Sequence, residues 1–114
     1  MILLMIAALA ASKAPVVVSS LTTEQLVSDC RGKDTDPAAT FCTGYIMGAF
    51  DTLSQARQIC PKPASASTLD TVASVRRYLR MHDEQWTDAP SFVVRNALRA
   101  KFPCGSTAVK RKRK

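Results

Sequence analysis

A chain of 114 residues, 46% hydrophobic and 22% charged, has room for one modest core, and its composition excludes a disordered or fibrous class. Its formal charge of +7 is concentrated at the ends: Lys13 and the last five residues, Lys110 to Lys114, are basic, while residues 15–109 hold 10 basic and 9 acidic side chains. The basic end could meet nucleic acid or anionic lipid, but it has no interleaved aromatics and reads as a solvated, disordered tail.

Met1 to Ala11 is an unbroken apolar run, followed by Ser12-Lys13-Ala14-Pro15. It is too short to span a bilayer and matches a signal-peptide core, although no Lys or Arg follows Met1. Cleavage is expected between Ala10 and Ser20. The predicted organisation is a signal peptide over 1–20, a helical domain over 21–104 and a basic tail over 105–114. Contact with a membrane is expected only through the transient signal peptide.

Thr22 with Gln25 forms a capping box and Leu21 with Leu26 the flanking hydrophobic staple, so a short first helix is predicted from Thr23 to about Cys30. Arg31 to Asp36 is loop chemistry. Asp36 as N-cap and Pro37 in the first turn open the longest periodic segment, predicted to run to Ile59. On its wheel Cys42, Tyr45, Ile46, Ala49, Phe50, Leu53, Ala56 and Cys60 share the core side, opposite Gly44, Gly48, Asp51 and Gln55.

Pro61 and Pro63 stop that helix. Ser67 with Asp70 opens a third, whose stripe is Leu69, Val72, Val75, Leu79 and His82, with Arg76, Arg77 and Arg80 facing elsewhere. Thr87-Asp88-Ala89-Pro90 opens a fourth with an acidic cap, and Pro90, Val93, Val94, Ala97 and Leu98 form its buried stripe. No segment alternates with period two. The predicted fold class is all-α, a compact bundle of about four helices.

The four cysteines, Cys30, Cys42, Cys60 and Cys104, contain no C-x-x-C pair, which argues against zinc and for two structural disulfides in an oxidising compartment. Cys42 and Cys60 lie roughly 27 Å apart on one helix, at 1.5 Å per residue, and cannot pair. Cys30–Cys42 with Cys60–Cys104 is preferred over Cys30–Cys60 with Cys42–Cys104.

No catalytic constellation is present. The one histidine, His82, lies on an apolar stripe at a helix end, and there is no phosphate loop and no nucleophile elbow. The chain is read as a non-enzyme with no metal, no cofactor and no small-molecule substrate. The candidate binding features are surfaces. One is the glycine face of helix two, Gly44 and Gly48 bordered by Asp51 and Gln55. The other is Phe92, Arg95, Asn96 and Arg99 on helix four, with the single tryptophan, Trp86, just before it, because aromatic and arginine groups dominate hot spots. Each has an alternative: Trp86 and Phe92 closing the end of the core between helices three and four, and the glycines packing against another helix of the same chain.

Taken in order, C-x-G-Y-x-x-G over Cys42–Gly48, Cys60-Pro61, Y-L-x-x-H over Tyr78–His82 and F-P-C over Phe102–Cys104 resemble the Rap/Tai family of type VI secretion immunity proteins. The resemblance covers Leu21 to Cys104. It implies a small, helical, disulfide-bonded periplasmic protein, often a homodimer, that binds a secreted peptidoglycan amidase effector and occludes its active site. Asp83 stands where the family's pattern leads to proline, and the basic tail is an addition. The competing reading is a small periplasmic helical chaperone or stress protein that binds clients nonspecifically. Nucleic-acid binding through the tail is disfavoured by export.

Overall fold

The computed structural model describes residues 15–32 and 40–105. Residues 1–14 of the leader expected over 1–20, the Asp36–Pro37 helix start and the Lys110–Lys114 run lie outside these residues. Four α-helices follow one another: α1 Thr23–Asp29, α2 Phe41–Gln55, α3 Thr68–Met81 and α4 Pro90–Lys101, with short 3-10 turns at Pro63–Ser65 and Asp83–Gln85. The described residues contain no strand.

α1 starts as its sequence requires. Thr22 Oγ1 accepts from the Gln25 amide at 3.1 Å, and Gln25 Oε1 accepts from the Thr22 amide at 2.9 Å. A helix of seven residues is not stable alone. Tertiary bonds hold it: Leu26 is fully buried, and the buried Thr23 hydroxyl donates to the Asp88 carbonyl at 2.6 Å.

α2 is shorter than its periodicity suggests at both ends. Thr40 is extended at φ −116°, ψ 169°, and its hydroxyl accepts from the Thr43 amide at 3.2 Å, so the helix begins at Phe41 and not at Pro37. At the other end Arg57 adopts φ 58°. The Arg57 amide bonds the Ser54 carbonyl at 3.1 Å and the Gln58 amide bonds the Leu53 carbonyl at 2.9 Å, a Schellman closure. A left-handed arginine costs about 1–2 kcal/mol. The two bonds offset that, and the turn delivers Ile59 to the core, where it is 1% exposed. Ala56 is exposed and Cys60 lies beyond the helix, so neither continues the apolar face that the wheel assigned to them.

Ser67 Oγ accepts from the Asp70 amide at 3.1 Å and opens α3. Val72, Val75 and Leu79 are buried as expected, but Leu69 is 44% exposed. Arg76, expected to face elsewhere, is buried, and its Nε donates to the Cys30 carbonyl at 2.7 Å. α3 ends at Met81 without a proline, because the chain turns at once through Asp83–Gln85.

The expected acidic cap of α4 is absent. Ala89 is the N-cap and caps nothing through its side chain, while Asp88 bonds through its backbone, its carbonyl accepting from Thr23 and its amide donating to the Gln85 carbonyl. Pro90 at the first turn supplies the helical φ and lacks the amide that would need a partner. Pro90, Val93, Val94, Ala97 and Leu98 are all buried. The ring of Phe102, at the end of α4, meets Phe50 edge-on at 5.5 Å.

α3 and α4 pack most extensively, and α2 lies across both. Cys30–Cys42 joins the end of α1 to the start of α2, and Cys60–Cys104 joins the exits of α2 and α4, each with Cα atoms 4.9 Å apart. The preferred pairing is the observed one. α2 is thus clamped at both ends, yet it fully buries only Cys42 and Ile46. Tyr45, Ala49, Phe50 and Leu53 are half-buried, which leaves one apolar flank of the helix partly uncovered.

Candidate functional site

That uncovered flank forms a groove between α2 and α4, with a volume of about 560 Å³. Its α2 wall carries Gly44, Gly48 and Thr52, with Tyr45, Ala49 and Leu53 beside them. Its α4 wall carries Ser91, Phe92 and Arg95, and Gln58 closes one end. The two surfaces singled out separately in the sequence, the glycine face and the Phe92–Arg95 face, are opposite walls of one depression.

The glycines decide what kind of groove it is. A Cβ built on Gly44 or on Gly48 meets no atom within 4 Å. Among the described residues no helix packs on them, so the alternative of intramolecular close packing fails. Each glycine in a helix interior costs roughly 1 kcal/mol relative to alanine, and nothing within the fold offsets it. The Thr52 hydroxyl donates to the Gly48 carbonyl at 3.0 Å, which satisfies it within the helix and leaves the glycine surface smooth.

The polar content is small and one-sided. Arg95 stacks over the Phe92 ring with its guanidinium carbon 5.0 Å from the centroid, and its Nε is buried with no hydrogen-bond partner. No lining residue is acidic. Burial pushes the Tyr45 phenol above its ordinary pKa of 10.0, and the Ser91 side chain beside it opposes this in part. The phenol is therefore neutral at physiological pH. Arg99, exposed one turn beyond Arg95, donates from Nη2 to Gln58 Oε1 at 3.1 Å and fixes the closed end.

Beyond the groove, Phe41 is 55% exposed and its ring lies 5.9 Å from that of Tyr45, which extends the apolar surface. The remaining candidates lie elsewhere. Asp51 and Gln55 are exposed on α2 and do not line the groove. Trp86 lies off the groove, and its indole Nε1 donates to the Leu79 carbonyl at 2.8 Å near the end of α3. Asn96 donates to Gln85 at 3.0 Å, and Gln85 in turn donates to the Tyr78 hydroxyl at 2.8 Å, so this chain of bonds fixes the α3–α4 connection. Tyr45, Ala49 and Leu53 fall on the core side of the wheel and carry no sequence signal for the site, and Gln58 reaches it only through the turn at Arg57.

A family model described as Rap1a immunity proteins matches residues 22–104, from the cap of α1 to the second disulfide. The chain belongs to this family. No curated protein and no solved structure matches the chain. The matched span contains all four helices, both disulfides and every wall of the groove, so the groove lies inside the family domain. No helix among the described residues is long and apolar enough to cross a membrane. Among the described residues no group of His, Cys, Asp or Glu could hold a metal ion.

Proposed function

We propose that this protein is a periplasmic immunity protein that binds a type VI secreted peptidoglycan amidase and silences it by covering the enzyme's active-site cleft. Family membership supports an immunity protein for a secreted effector. Two disulfides with no free cysteine are what an oxidising compartment permits, which supports export. The amidase and its compartment follow the resemblance set out above.

The observation that carries a binding role is the groove with bare glycines. A helix clamped by a disulfide at its start and another at its exit holds a partly apolar surface in a fixed shape, and two glycine positions leave room for a partner's backbone. Preorganisation of this kind lowers the entropy lost on association. Inhibition requires only that the complex cover the effector's cleft, so the protein itself performs no chemistry.

The test is an amidase assay on purified peptidoglycan, with a secreted amidase of the same genome as the candidate effector. The native protein should co-purify with that effector and suppress hydrolysis at a one-to-one ratio of partners. Full hydrolysis in the presence of saturating, folded protein would refute the reading. A homodimer would show as a doubled mass by sedimentation, and Gly48→Leu tests whether the glycine face forms its interface.

A further inference from the structure

We infer that the α2–α4 groove receives an acidic, apolar segment of the effector, which lays an apolar side chain against Gly44, Gly48 and Leu53 and delivers a carboxylate to Arg95. This rests on the effector-binding reading above and specifies the chemistry of the partner.

Three observations select that chemistry. First, Arg95 is the one charged residue lining the groove, and its guanidinium meets the face of Phe92 and no carboxylate. The group that pairs best with it is a carboxylate, whose two oxygens match the guanidinium fork. Second, no acidic side chain lines the groove, and Arg99 at its closed end adds to the positive potential. A basic segment is repelled there, and a purely apolar one leaves the guanidinium without a carboxylate. Third, the rest of the lining is apolar or small: Gly44, Gly48, Ala49, Leu53 and the Phe92 ring. Open space over both glycines admits a backbone at close range.

A second copy of this chain fits less well. An isologous contact brings the same surface twice, so it sets a second Arg95 against the first groove and supplies no acidic lining residue to meet either.

The test uses two small probes that differ only in charge, 4-phenylbutyrate and its uncharged amide, titrated into the ¹⁵N-labelled mature protein. Both should shift the amide resonances of Gly44, Gly48, Leu53 and Phe92. The carboxylate should bind about tenfold more tightly and should also shift the Arg95 Nε–H resonance. Arg95→Gln should remove the preference while leaving the amide probe within about twofold, and Arg95→Lys should keep part of it. The wild-type preference decides the matter if Arg95→Gln does not fold. Equal affinity for both probes, or shifts confined to another face, overturns the inference. So does a dimer whose groove excludes the probes until dilution makes it a monomer, because a second copy is then the occupant. The two levels separate cleanly. Amidase inhibition without carboxylate preference sinks this inference alone, and carboxylate preference without amidase inhibition sinks the functional reading alone.

Discussion

The Arg76 guanidinium on α3 reaches across 46 residues of sequence to the carbonyl of Cys30, with Nε 2.7 Å from the oxygen. This bond fixes the exit of α1 and, through the Cys30–Cys42 disulfide, the start of α2 that forms one wall of the groove. Gly32 belongs to the same arrangement. Its φ is +134°, and a Cβ there would lie 2.7 Å from Arg76 Nη2.

Arg76→Met should therefore cost about 2–3 kcal/mol, because it leaves a buried carbonyl without its charged donor. Gly32→Ala should cost more than about 1 kcal/mol, since its backbone is unfavourable to alanine and Arg76 would have to move. Urea unfolding of each variant measures both. A loss below about 0.5 kcal/mol for Arg76→Met would show that the bond is replaced by water at no cost.

The two disulfides should differ in weight. Cys60–Cys104 closes a sequence separation of 44 residues and Cys30–Cys42 one of 12. Chain entropy alone assigns roughly 4 kcal/mol to the longer loop and roughly 3 to the shorter. Replacing both members of each pair by alanine and comparing unfolding midpoints tests the order. The reverse order would mean that removing Cys30–Cys42 also dislodges Arg76 and the α1–α2 connection.

Most of the helical framework was legible because its caps are local. Thr22 with Gln25, Ser67 with Asp70 and Pro90 all act within one turn of their own position. The limits of α2 were harder to read. A left-handed Arg57 carries no glycine signal, and the Thr40 cap is less conspicuous in the sequence than Asp36-Pro37. Four residues of the groove, Gly44, Gly48, Phe92 and Arg95, were chosen from residue type and wheel position. That they face each other depends on how α2 lies across α4, which no local pattern encodes. The same gap separates the other candidates from the groove. Asp51 and Gln55 neighbour the glycines on the wheel but do not line it, and the Trp86 indole, a hot-spot type by chemistry, donates to the Leu79 carbonyl.

Gly44→Ala and Gly48→Ala should each raise stability by about 1 kcal/mol, because the added methyl meets nothing and helix propensity improves. Affinity for the effector should fall with the same substitutions, and further with Gly48→Leu. Urea unfolding and calorimetric titration on one preparation measure the two quantities. Stabilised variants that retain full affinity would remove the glycine wall from the interface.

Trp86→Phe is the control in the opposite sense. The ring volume is largely kept but the donor to the Leu79 carbonyl is lost, so stability should drop by about 1–2 kcal/mol. Trp86 does not line the groove, so effector affinity of the folded variant should stay within about twofold. A large affinity loss at unchanged stability would make Trp86 part of the binding surface.

The His82–Glu84 pair should shape the acid limb of stability. His82 stacks on Tyr78 with ring centroids 3.9 Å apart, and its Nδ1 lies 2.9 Å from Glu84 Oε2. That hydrogen bond is the main cause holding the Glu84 carboxyl below its ordinary 4.5, with its own backbone amide adding to the effect. A carboxylate whose folded pKa is depressed stabilises the fold above its unfolded value, and the contribution is lost as pH falls through the folded value. The loss should therefore begin near pH 4.5 and continue below it. In His82→Ala the Glu84 carboxyl should return toward 4.5, and the stability curve should become shallower across that acid window. Carbon-13 NMR titration of the Glu84 carboxyl in both proteins provides the comparison. An unchanged titration in His82→Ala would assign the shift to the backbone amide and leave His82 as a stacking partner of Tyr78.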